Sequence, residues 1–105
     1  MGVHAVCQLD ELELNEGRSF TVNGQEVGLF RLEDGVYALR DLCTHGNGRL
    51  TDGFVDQGLI ECPLHAGCFE IRTGRAKRAP VTIDVHAYRV LVQNGVVSIE
   101  LPDSE

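Results

Sequence analysis

Residues 43–65 read CTHGNGRLTDGFVDQGLIECPLH, from Cys43 to His65. A cysteine and a histidine stand one residue apart at its start, and a second cysteine and histidine stand two residues apart at its end. Sixteen residues separate the pairs. All four side chains are soft or borderline metal ligands, and each pair offers one of either kind. Such a segment needs a scaffold that brings its two ends together, and the flanking sequence shows what that scaffold is.

The flanks read as strands. Ser19–Val22 and Glu26–Leu32 enclose Asn23-Gly24, a pair that favours a type I′ hairpin because both positions tolerate positive φ. Glu33-Asp34-Gly35 is a turn signal before Val36–Leu39. Near the end, Tyr88–Gln93 and Val96–Leu101 enclose Asn94-Gly95, a second hairpin with alternating apolar residues. Only Asp10–Leu14 offers even one short helical turn. With twelve glycines and frequent turns, the class is all-β, a sandwich or a barrel-like sheet. Within the ligand-bearing middle, Leu59–Cys62 and Cys68–Ile71 read as short strands joined by PLHAG.

A chain of 105 residues, 43% hydrophobic and 24% charged, makes one small domain with a modest core. It has no apolar run of 18 residues, and its N-terminus turns acidic where a signal peptide would be basic and then apolar, so a cytoplasmic protein off the membrane is expected. The net charge of −7 argues against nucleic acid, because phosphate neutralisation needs a basic face. Residues 41–80 hold five acids (Asp41, Asp52, Asp56, Glu61, Glu70) and five bases (Arg49, Arg72, Arg75, Lys77, Arg78). All of the net charge therefore lies in the flanks, and the middle looks like a separate piece set into them.

Two metal centres suit the ligands. Zinc accepts two cysteines and two histidines tetrahedrally, but its common finger order sets both cysteines before both histidines. A [2Fe–2S] cluster with mixed ligation takes two cysteines on one iron and two histidines on the other. Two loops that each give one ligand to each iron meet that demand. Disulfides are disfavoured in a reducing compartment.

Cys43-Thr44-His45, four residues, Leu50, two residues and Gly53, followed by Cys62-Pro63-Leu64-His65, resembles the Rieske iron–sulfur motif. The likeness extends to TGRAKRAPV, where Gly74 and Pro80 match the glycine and proline of the loop that covers the cluster in that family. It spans roughly residues 40–81. The short chain is similar to the Rieske ferredoxins of multicomponent aromatic-ring-hydroxylating dioxygenases.

The resemblance implies one Rieske domain over residues 1–105, with an antiparallel base at approximately 1–40 and 81–105 and an inserted cluster-binding subdomain at approximately 41–80. It implies one [2Fe–2S] cluster, with Cys43 and Cys62 on the inner iron and His45 and His65 on the outer iron. Leu50, Pro63 and Pro80 would screen it from water. Gly46, Gly48, Ala66 and Gly67 would keep the loops small, so that backbone N–H groups point at sulfur. Respiratory Rieske proteins carry a loop-bridging disulfide, and a serine and tyrosine that donate to cluster sulfurs. The matching positions here are Gly48, Leu64, Gly67 and Phe69. With fewer donors stabilising the added electron, the expected potential lies near the lower end of the Rieske range of about −150 to +300 mV.

The function implied is single-electron transfer from an NAD(P)H-dependent flavoprotein reductase to a terminal aromatic-ring dioxygenase. The carrier would be monomeric and would do no bond-making chemistry itself. A small Rieske-type subunit of an assimilatory nitrite reductase is the nearest alternative, and a structural zinc module a more distant one. The remaining candidates have plainer readings. Cys7 and Cys68 are expected to pack as small apolar residues, although the sequence leaves a disulfide between them open. His4 and His86 are expected at the surface or an edge. The cluster Asp10, Glu11, Glu13, Glu16 is read as a solvated face, with electrostatic steering of a basic partner as its functional reading. Arg49 reads as a loop cap or a partner contact, and the bases at 72–78 as local salt links.

Overall fold

The structure is a computed structural model and describes residues 2–43, 48–63, 67–79 and 83–101. Strand β1 (Gly2–Gln8) leads into a 3₁₀ turn at Leu9–Glu11, where the expected helical turn at Asp10–Leu14 has become a shorter element. Its Gln8 N–H is capped by the Glu11 carboxylate at 2.8 Å. Strands β2 (Glu16–Val22), β3 (Gln25–Leu32) and β4 (Gly35–Arg40) follow, then a 3₁₀ turn at Leu50–Asp52. Four three-residue strands come next: β5 (Phe54–Asp56), β6 (Leu59–Glu61), β7 (Cys68–Glu70) and β8 (Ala76–Arg78). The long strands β9 (Ala87–Gln93) and β10 (Val96–Leu101) complete the chain. Among the described residues no helix is long and apolar enough to cross a membrane.

The strands form two antiparallel sheets, one ordered β1-β10-β9-β4-β3-β2 and the other β5-β6-β7-β8. The turns follow the local chemistry. Asn23 and Gly24 have φ of 51° and 82°, and Asn94 and Gly95 have 52° and 77°, as a type I′ hairpin requires. Gln57 and Gly58, at 52° and 80°, make a third such turn between β5 and β6. It is hard to read from sequence, because glutamine rarely occupies a left-handed position.

The large sheet curls around one core, in which Cys7, Val22, Val27, Leu29, Val36, Ala38, Tyr88, Val97 and Ile99 are buried together. The segment after β1 helps to close it. The Arg31 guanidinium donates to the Leu12 carbonyl at 3.1 Å, and Arg18 donates to the Glu11 carbonyl at 3.0 Å.

β3 and β4 are buried on both faces. Val27, Leu29, Val36 and Ala38 face the curled core, whereas Phe30, Leu32 and Leu39 belong to a second core shared with the small sheet. Hence VGLFRL loses the clean alternation of a half-exposed strand. Fully burying each large side chain of this kind is worth about 1.5–3 kcal/mol. The second core thus seats the small sheet on the back of β3 and β4.

Candidate metal centre

The first ligand loop starts where β4 ends. Arg40 N–H donates to the His86 carbonyl at 2.9 Å, and Asp41 N–H donates to the Glu26 carbonyl at 3.0 Å. Asp41 is 1% exposed, and both of its carboxylate oxygens are used. One accepts the Thr51 N–H at 2.9 Å and the other the Thr51 hydroxyl at 2.8 Å. Hydrogen bonds to a charged group contribute about 1.5–3 kcal/mol each, so this pair closes the loop firmly at its mouth. Thr51 reaches the base because β3 carries Gly28 beneath it: a Cβ there would lie 2.8 Å from the Thr51 methyl.

Cys43 and Cys62 occupy equivalent places in their loops. Cys43 N–H donates to the Gly48 carbonyl at 2.8 Å, and Cys62 N–H donates to the Gly67 carbonyl at 2.6 Å. Each loop is therefore pinched shut between residues five positions apart, directly at its cysteine. The N–H groups of the two cysteines are committed to loop closure, which narrows the expectation that loop N–H groups in general point at sulfur.

Both cysteines are buried, at 2% and 1% exposure, in the second core beside Leu50, Ile60, Phe69 and Ile71. Two thiols in a dry, apolar shell, each at the base of a tight loop, fit iron or zinc ligation. None of the four cysteines is in a disulfide. His45 and His65 lie outside the described residues, as do Gly46, Leu64, Ala66 and Pro80.

Close backbone approaches hold the loops in place. Gly53 stands against the Glu61 carbonyl, which occupies the place a Cβ would take. Gly74, at φ +81°, is likewise packed against the Val85 carbonyl. Leu50 is fully buried and Pro63 is exposed, so of these two residues expected to screen the site only Leu50 lies in the apolar core that holds the cysteines.

Ion pairs join the parts. Arg49 reaches out of its loop to Glu26 at 3.0 Å and to the Ser19 hydroxyl at 3.3 Å, so it ties the loop to β2 and β3 instead of capping itself. Arg72 grips Asp34 through two contacts of 3.0 Å with its guanidinium 5.5 Å above the Tyr37 ring. That contact holds the Asp34 carboxyl below its usual range. Arg78 pairs with Glu61 inside the small sheet at 3.3 Å.

Cys7 and Cys68 sit on strands of different sheets, β1 and β7, and no disulfide joins them. Burial pushes both thiols up, as packing residues require. His86 is exposed and packs edge-on against Tyr88, with centroids 4.6 Å apart; His4 is half-buried on the edge strand β1. Asp10, Glu11, Glu13 and Glu16 are all exposed. The residue that sequence reasoning missed is Asp41, counted there only as one acid among five. Its signal is weak: an acid two positions before a ligand cysteine, with a hydroxyl ten positions on.

Residues 2–89 match the Rieske [2Fe-2S] domain family. The ferredoxin component of a naphthalene 1,2-dioxygenase system from Pseudomonas putida is 42% identical over 99 residues, covering 94% of each chain. The solved ferredoxin of carbazole 1,9a-dioxygenase from Nocardioides aromaticivorans superposes with a TM-score of 0.90 at 36% identity, covering 94% of this chain and 97% of that one. A ferredoxin solved in complex with its reduced oxygenase, also from a carbazole 1,9a-dioxygenase, gives a TM-score of 0.87 at 32% identity, covering 92% of this chain and 91% of that one.

Proposed function

We propose, from the premise that this chain belongs to the Rieske [2Fe–2S] domain family, that it is the ferredoxin of a multicomponent aromatic-ring dioxygenase system. The bound [2Fe–2S] cluster supplies reversible one-electron chemistry. Cys43 and Cys62 are the ligands of one iron, and His45 and His65 the ligands of the other. The observation that carries this reading is the matched placement of Cys43 and Cys62, each buried where a loop closes on itself in one apolar shell.

The chain's own residues hold, dry and tune the centre. Leu50, Phe69 and Ile71 share the apolar core with the two cysteines and keep water from their sulfurs, which limits displacement of the ligands by solvent. Phe69 brings no hydroxyl to the site. The chain supports no substrate chemistry of its own: it takes an electron from a flavoprotein reductase and passes it to a terminal oxygenase. Support for the oxygenase as acceptor comes from the related carbazole ferredoxin solved with its oxygenase. Interfaces of this transient kind bury less than about 1,200 Å² in total, which suits a cytoplasmic monomer that shuttles.

The domain reading is one unit over residues 1–105, with a base at approximately 1–40 and 81–105 and a cluster subdomain at approximately 41–80. The division of the strands into a six-stranded and a four-stranded sheet supports it.

The test is low-temperature EPR of the dithionite-reduced protein with iron and sulfide assays. Two irons, two sulfides and a rhombic spectrum with average g below the free-electron value are expected. A colourless protein that holds zinc after anaerobic purification would return the four residues to a structural site.

A further inference from the structure

We infer that the buried Asp41–Thr51 pair is a positioning clasp for the first ligand loop, setting the geometry of Cys43 toward the cluster and not merely supporting the sheet. This rests on the assignment of Cys43 as a ligand.

The two residues bracket the loop. Asp41 precedes Cys43 by two positions and Thr51 follows directly after the buried Leu50. The carboxylate binds the Thr51 N–H at 2.9 Å and the hydroxyl at 2.8 Å. Its own N–H is anchored to Glu26 of β3 at 3.0 Å, and Gly28 of the same strand leaves room for the Thr51 methyl. One strand of the base therefore fixes both ends of the loop. Cys43 has little freedom left, since its N–H is bound to Gly48 within the span that the clasp encloses.

A carboxylate is expensive to bury for fold support alone, because apolar packing would serve as well. An Asp that accepts two hydrogen bonds from a single residue gives direction as well as cohesion. Outside its Cys62–Gly67 closure the second loop is held by strand pairing: its ends are β6 and β7, paired from Leu59↔Glu70 to Glu61↔Cys68. Among the described residues the ends of the first loop are not paired as strands with each other, and the clasp takes that place.

Thr51→Val keeps the shape and the N–H but removes the hydroxyl, whereas Thr51→Ser keeps the hydroxyl; Asp41→Asn replaces one acceptor by a donor. In the cluster-loaded proteins, Thr51→Val is expected to shift the EPR g values, lower the midpoint potential and speed cluster loss to a chelator several-fold. Thr51→Ser is expected to restore all three, and Asp41→Asn, if it folds, to lose its cluster faster than the parent. The potential falls because loss of the Thr51 hydroxyl removes one of the donors that compensate the Asp41 carboxylate, and its negative charge, two residues from Cys43, opposes the added electron. A Thr51→Val protein that melts earlier yet keeps the parent's g values and potential would overturn the inference and leave the pair a support of the fold. If the unaltered protein lacks the rhombic signal, the ligand assignment itself fails, and the clasp with it.

Discussion

Cys62 donates its N–H to the Gly67 carbonyl at 2.6 Å, the same closure that Cys43 makes with Gly48. Two segments of different sequence and flanking structure thus make the same closing hydrogen bond at a buried cysteine. If both serve as ligands, as proposed above, the two cysteines are equivalent in what their loss should do.

Cys43→Ser and Cys62→Ser should each abolish the rhombic EPR signal and the visible colour. His45→Ala and His65→Ala should do so as well, if those residues complete the set. By contrast, Cys68→Ser and Cys7→Ser should keep two irons per chain, because both are packing residues. Iron assays on the six variants separate the groups. A Cys68 variant without iron would mean that a fifth ligand had been overlooked.

The absence of hydroxyls beside the second loop predicts a low potential, close to about −150 mV at the bottom of the Rieske range. Phe69 is fully buried in the core that holds Cys43 and Cys62. Phe69→Tyr should raise the midpoint if its hydroxyl donates to sulfur, since such a bond favours the more negative state. Potentiometric titration followed by EPR gives both values. A parent potential in the upper half of the range would contradict the argument from missing donors.

Gly53 has no space for a side chain, because the Glu61 carbonyl stands where a Cβ would go. Gly53→Ala should destabilise the protein by about 1–3 kcal/mol through overpacking and should lower iron content, since Glu61 immediately precedes Cys62. Leu50→Ala, at a fully buried site, should cost about 2–5 kcal/mol through the lost contacts and the cavity. Urea titrations read both, with iron content measured alongside.

Arg72 and Asp34 link the small sheet to the β3–β4 hairpin, and the pair has a defined pH signature. The guanidinium holds the Asp34 carboxyl below its unfolded value. Its contribution is therefore fully present above about pH 4, the ordinary carboxylate pKa. It is lost as pH falls through the folded value. Asp34→Asn should be less stable than the parent at pH 7, and the two should converge in acid. Because both side chains are about half-exposed, at 43% and 54%, 1 M salt should also narrow the gap. Denaturation at pH 7 and pH 3 checks this; a gap that widens in acid would exclude the ion pair as its source.

Local chemistry determined much of this protein before any folding is considered. Asn23-Gly24 and Asn94-Gly95 specify their hairpins, because few other pairs accept positive φ at both positions. The alternation along β10 specifies which face is buried, and the spacing of Cys43, His45, Cys62 and His65 specifies the chemistry on offer. These signals are legible because each is contained within a few consecutive residues.

What only the tertiary structure decided lies between distant segments. The three-residue strands β5 and β8 are too short to carry a period, and they exist because β6 and β7 offer them edges to pair with. Arg72 finds its partner 38 residues away, so its sequence neighbours misdirect any guess of local salt links. Asp41 is indistinguishable in sequence from a solvated acid. It becomes a buried clasp because β3 supplies a carbonyl for its N–H and an empty space at Gly28 for Thr51. A linear chain specifies its ligands and turns locally. Burial and partner choice depend on which surfaces meet, and that is settled only when the small sheet packs onto the outer face of β3 and β4.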